Sequence, residues 1–75
     1  MKDEEILIEF GRNLKAERVR QNLNQEELSE KSEIPHFQSV GEIERGEVNT
    51  SLIRIVHILK ALNLKFENLF DINKI

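Results

Sequence analysis

The chain has no cysteine, tryptophan or tyrosine, a single proline and only 3 glycines among its 75 residues. Without cysteine there is no disulfide framework and no thiolate metal site, a composition suited to a reducing compartment. Scarce proline and glycine leave long stretches free to form helix, and no segment alternates apolar and polar residues long enough for a half-buried strand. Long apolar runs are missing as well: none approaches the roughly 20 residues of a membrane span. The acidic start, Lys2, Asp3, Glu4 and Glu5, lacks the basic opening of a signal peptide. A cytoplasmic protein with no membrane association is expected, of a size that suits one small domain with a modest core.

Excess positive charge, the usual footprint of a nucleic-acid binder, is also lacking: the net charge is −3. Its distribution is uneven. Residues 10–22 carry Arg12, Lys15, Arg18 and Arg20 against Glu17 alone, whereas residues 23–50 set Lys31 and Arg45 against 7 glutamates. Non-specific attraction to phosphate should be weak, so any such binding rests on a few placed contacts.

Helix signals organise the chain. A first helix is expected over about Asp3 to Gln21, with Ile6, Leu7, Phe10 and Leu14 as its apolar stripe. Asn22-Leu23-Asn24 is a break. Asn24 and Glu27 form a capping-box pattern that opens a second, short helix ending near Lys31 or Ser32. Pro35 suits the first turn of a third helix reaching about Arg45, with Gly46 as its stop. Asn49, Thr50 and Ser51 are cap candidates for a fourth helix carrying Leu52, Ile55, Val56, Leu59 and Leu62, and Asn63 ends it. A last helical turn spans Phe66 to Phe70. The expected core is Phe10, Leu14, Leu23, Leu28, Ile34, Val40, Ile43, Leu52, Ile55, Leu59, Leu62, Leu64 and Leu69.

No catalytic set emerges. His36 and His57 are far apart, neither stands in a metal-ligand pattern, and no serine or threonine has an adjacent base in a known motif. The expectation is therefore no enzyme, no metal, no cofactor and no small-molecule ligand. His57 reads as a surface or interface residue, His36 as either a phosphate or base contact or a first-turn surface residue, and the pairs Glu4-Glu5 and Glu26-Glu27 as solvated helix starts favoured by the dipole.

A short helix, a tight turn and a second short helix need flanking helices to hold them, which is how a helix-turn-helix is built. Four segments sharpen this: LKAER at Leu14–Arg18, LNQEEL at Leu23–Leu28, VGEIERG at Val40–Gly46, and ALNL at Ala61–Leu64 followed by NLF at Asn68–Phe70. In order and approximate spacing they resemble the Xre/Cro family of phage-repressor-like bacterial regulators, over residues 10–71. Stand-alone members include restriction–modification controller proteins, phage repressors and some antitoxins. The resemblance implies an all-α, five-helix, lambda-repressor-like domain over residues 1–75. Its helix-turn-helix falls at about 24–45, and helices four and five, about 51–71, supply core and dimer face.

The resemblance also implies roles. Gln25 matches a glutamine that bonds a DNA phosphate from the start of the second helix. Arg18 and Glu44 match an ion pair between helices one and three, with Arg18 also a phosphate candidate. Arg45, beside the turn that approaches the backbone, is a further phosphate candidate, followed by Arg12, Arg20, Asn49 and Thr50. Counting back from Glu44, the base-contacting positions are Phe37, Gln38, Ser39 and Glu42. Gln38 can bond adenine N6/N7, Glu42 can accept from cytosine N4, Ser39 is a versatile partner, and Phe37 suits either a thymine methyl or the core. The implied partners are double-stranded DNA and a second copy of the chain. The apolar residues left for a homodimer face are Ile53, Val56, Phe66, Phe70, Ile72 and Ile75. A rival reading keeps the fold but not the DNA: a protein-interaction adaptor or antitoxin-like partner, favoured by Glu33, Glu42 and Glu47 around the third helix.

One departure from the family stands out. Between Leu28 and Val40 the chain has one residue more than the usual spacing, and Glu33 where a turn glycine is common. Either the turn through Glu33-Ile34-Pro35 lengthens, or the first turn of the third helix rotates by about 100° and re-aims His36, Phe37 and Gln38.

Overall fold

A computed structural model describes residues 1–75. It contains four α-helices, α1 (Asp3–Arg20), α2 (Gln25–Lys31), α3 (Phe37–Glu44) and α4 (Leu52–Leu62), then two 3-10 turns, Phe66–Asn68 and Ile72–Lys74, and no strand. α3 packs against both α1 and α2, and α4 against α2. The expected fifth helix is thus a single 3-10 turn. So short a segment cannot recover the cost of nucleating an α-helix, and the tighter turn carries Leu69 and Phe70 into the core.

The helices begin and end on local chemistry. Asn24 Oδ1 accepts from the Glu27 N–H at 2.7 Å while the Asn24 N–H donates to Glu27 Oε1 at 2.9 Å, a reciprocal capping box. Of the three cap candidates before α4, Ser51 is the one used, its Oγ accepting from the Arg54 N–H at 3.1 Å. All four helices end alike, with a left-handed residue just past the last turn: Asn22 (φ 60°), Glu33 (φ 57°), Gly46 (φ 71°) and Asn63 (φ 56°). In each, the following residue's N–H reaches back to the last turn: Leu23 to Arg18 O, Ile34 to Ser29 O, Glu47 to Glu42 O and Leu64 to Leu59 O. Asparagine and glycine tolerate this conformation; Glu33 adopts it at a steric cost of about 1 kcal/mol.

The core comprises Phe10, Leu14, Leu28, Ile34, Val40, Ile43, Ile58, Leu62, Leu69 and Phe70, with Leu23, Ile55, Leu59 and Leu64 packed at its edge. Three assignments differ from the sequence expectation. Leu52 is 73% exposed, because α4 packs through its C-terminal half, where Ile58 and Leu62 are buried, and its first turn stands clear. Ile58 takes the central place instead. Phe70, expected on an outer face, is buried, its ring 6.5 Å from Phe66, which in turn lies 6.0 Å from Phe10. Two side chains hold α1 and its cap to later segments: Asn13 Nδ2 donates to Leu69 O at 2.8 Å, and Gln21 Nε2, just past α1, to Leu62 O at the end of α4 at 2.9 Å.

Candidate nucleic-acid interface

The segment between α2 and α3 sets which face of α3 is presented. Glu33 in its left-handed conformation turns the chain, and the Ile34 N–H anchors to Ser29 O at 2.8 Å with the Ile34 side chain in the core. The chain then runs extended through His36, the N-cap residue, so α3 starts at Phe37, two residues after the expected Pro35. Ile34 is held at the core, and the helix cannot begin until the chain has left that anchor. The extra residue therefore sits in the connecting turn, and α3 is unbroken from Phe37 to Glu44.

α3 is clamped from inside. The Arg18 guanidinium grips Glu44 at two points, Nε to Oε2 at 2.6 Å and Nη2 to Oε1 at 3.1 Å, while its Nη1 donates to Leu23 O at 2.7 Å. Gln25 Nε2 donates to the same Glu44 Oε1 at 3.1 Å, so α1, α2 and α3 converge on one buried carboxylate. Arg18 is buried, and each of its guanidinium nitrogens has a partner inside the domain. Gly11 makes the clamp possible: a Cβ there would lie 2.3 Å from Ile43 O and 2.5 Å from Glu44 O. Sequence reasoning missed this glycine, since the backbone that fills its place belongs to a distant helix.

Burying Val40, Ile43 and Glu44 turns the opposite side of α3 outward. Phe37 is 44% exposed and borders Arg18, Asn24, Gln25 and Glu26 at the start of α2. Gln38 is exposed, and Ser39 and Glu42 are half-buried. Ser39 and Glu42 open onto a polar cleft of about 440 Å³ whose other wall is Asn49, Thr50, Ser51 and Arg54. Arg54 was not singled out from sequence. Its signal is a cation in the first turn of a helix, where the dipole disfavours it.

Gln25 and Arg45 meet over Gly41. A Cβ at residue 41 would lie 2.9 Å from Arg45 Nη1 and 3.3 Å from Gln25 Nε2. Arg45 also holds Glu47, Nε to Oε2 at 2.7 Å and Nη2 to Oε1 at 3.2 Å. This bond raises the Arg45 pKa and lowers that of Glu47. Arg20 bonds Glu17 along α1's own surface, and Arg12 is exposed on the same helix; neither makes a hydrogen bond or ion pair with α3. On another side His57 Nδ1 stands 3.9 Å from Glu33. No group of three His, Cys, Asp or Glu side chains is placed to hold a metal ion, and no helix is long and apolar enough to cross a membrane.

Comparison with known proteins agrees with this architecture. The helix-turn-helix family model matches residues 14–69. The crystal structure of the restriction-modification controller protein C.AhdI from Aeromonas hydrophila is similar to this chain with a TM-score of 0.80 and 36% identity, covering 85% of this chain and 96% of that one. No curated protein matches.

Proposed function

Because the chain belongs to the helix-turn-helix family, of the Xre/Cro type, we propose that it is a DNA-binding transcriptional regulator that reads an inverted-repeat operator as a homodimer. The observation that carries this reading is the polarity of α3. Its inner side is fixed by a three-way bond at Glu44, its outer side offers Gln38, Ser39 and Glu42, and Phe37 is exposed where the helix begins. A rigid short helix with a polar outward side suits insertion into the major groove. In this reading Gln38 bonds adenine N6/N7, Glu42 accepts from cytosine N4, and Phe37 and Ser39 contact neighbouring bases. Each well-formed bidentate pair is worth about 1–3 kcal/mol of discrimination. Gln25 and Arg45, together over Gly41, address phosphate, with Asn49 and Thr50 beyond them.

The whole chain acts as one DNA-binding unit, and two copies supply what one lacks. Ile53 and Val56 are 63% and 51% exposed on α4, and Phe66 and Ile72 are exposed beside them in sequence on the two 3-10 turns. An apolar cleft of about 150 Å³, lined in part by Ile55 and Phe66, adds to this apolar surface. A dimer through this face places two α3 helices for half-sites about 34–36 Å apart. The likeness to a restriction-modification controller protein, spanning nearly all of that chain, makes the same role the leading assignment.

The test is a titration of labelled duplex DNA across a salt series. The expected result is affinity that falls log-linearly with salt, with a slope near −0.9 per phosphate contacted. Negligible binding to every duplex even at low salt would favour the adaptor.

A further inference from the structure

We propose that Glu47 is a built-in competitor of DNA: its carboxylate occupies the guanidinium fork of Arg45 that a backbone phosphate must take. The proposal rests on the reading that Arg45 meets phosphate. Both Glu47 oxygens engage Arg45, at 2.7 and 3.2 Å. This is the two-point geometry by which arginine also holds phosphate.

The position of Glu47 is set by the backbone. It follows Gly46, whose φ of 71° turns the chain back, and its N–H is anchored to Glu42 O at 3.0 Å. At the equivalent place after α1, α2 and α4 stand Leu23, Ile34 and Leu64, each packed on the core. An apolar residue is the usual occupant there. Here the corresponding side chain lies outside, beside Arg45, where an acid in place of an apolar residue brings its charge to the guanidinium.

The remaining acids do not serve in its place. Glu44 is taken by Arg18 and Gln25, and Glu42 acts on Arg45 only through space. The pair is accessible to a ligand, with 58% and 51% of the two side chains exposed. Arg45 holds the Glu47 carboxyl below its usual range, so the competitor is charged at neutral pH. Exposed pairs of this kind exchange partners at small cost, so Glu47 sets a threshold for binding and does not block it.

The experiment compares the intact chain with Glu47→Gln, Arg45→Gln and the double variant, with Glu67→Gln as a control for net charge. Affinity for the best-bound duplex from a random pool is the readout. Glu47→Gln should tighten binding by about two- to fivefold per protomer, the factor equivalent to an exposed ion pair. Arg45→Gln should weaken binding, and in that background the gain from Glu47→Gln should vanish. Glu67→Gln should change little.

Three results overturn the inference. If Glu47→Gln leaves affinity unchanged while Arg45→Gln weakens it, the competition is absent and the phosphate role of Arg45 stands. If the gain persists in the Arg45→Gln background, or Glu67→Gln matches it, Glu47 acts by general repulsion. If Arg45→Gln has no effect, or no duplex binds, the phosphate reading itself fails and the competition with it.

Discussion

Arg18 and Glu44, 26 positions apart in the chain, meet in a two-point bond that joins the end of α1 to the end of α3. Both side chains are nearly excluded from solvent, at 10% and 2% exposure. Removing one partner strands a buried charge, at a cost of about 3–5 kcal/mol. A domain of this size shifts in Tm by roughly 4–8 °C per kcal/mol. Arg18→Ala and Glu44→Ala should therefore each melt at least about 12 °C lower. Arg18→Met combined with Glu44→Leu should cost less than the two single losses added together. Thermal unfolding followed by circular dichroism checks this, and single variants within about 1 kcal/mol of the parent would show that the pair does not hold the fold.

The two helical glycines should behave differently. At Gly11 an added methyl meets the backbone carbonyls of Ile43 and Glu44, which cannot move without displacing α3. Gly11→Ala should destabilise by about 1–3 kcal/mol or more. At Gly41 the obstacles are the ends of Arg45, which is exposed and can swing away, and of Gln25, which can do so only by giving up its bond to Glu44. Gly41→Ala should leave stability within about 1 kcal/mol of the parent, the gain in helix propensity offsetting the loss of that bond. The displaced side chains are the two proposed for phosphate, so DNA affinity should fall while Tm stays near that of the parent. Melting and DNA titration of the same sample separate these effects.

Glu33 carries a strain that two neighbours in kind avoid. Asn22 and Asn63 sit in the same left-handed cap without it, as does Gly46. Glu33→Gly should raise stability by up to about 0.5 kcal/mol, since the relief of left-handed strain slightly exceeds the added freedom of the unfolded chain. A higher denaturant midpoint at unchanged slope is the expected reading.

Helix ends were legible in the sequence because capping is local. Asn24 with Glu27, Gly46 and Asn63 each announce a terminus within a few residues. Burial on α4 was not, because it depends on how the helix docks. Spacing alone put Leu52 in the core and passed over Ile58, whereas contact with α2 through the C-terminal half decides the opposite. Phe70 could be assigned to an outer face only as long as its segment was taken as an α-helix; a 3-10 turn sends it inward. The outward side of α3 at Gln38, Ser39 and Glu42 follows from helical spacing once Val40, Ile43 and Glu44 are inside, whereas Phe37, on the same side as Glu44, is exposed because it opens the helix. The Arg45–Glu47 bond does not follow from that spacing, since residues two apart do not face each other on a helix. It forms because Gly46 breaks the helix between them.

Replacing apolar residues on the outer side of α4 tests the dimer. Ile53→Glu with Val56→Glu places charges on side chains that contribute to no core contact in one copy. Helix content and Tm should stay near those of the parent, sedimentation should report monomer, and affinity for an inverted repeat should drop by about 100-fold or more. A parent chain that is already monomeric at micromolar concentration, with and without DNA, would remove the homodimer from the account.

The central claim is that α3 reads bases in two symmetry-related half-sites, and selection of bound duplexes from a random pool tests it most directly. The expected outcome is enrichment of one short motif in inverted repeat, its two centres about 34–36 Å apart along the duplex. Gln38→Ala should relax the preference at an adenine in each half and leave the spacing intact. Recovery of no enriched sequence, or of one without two-fold symmetry, would contradict the account.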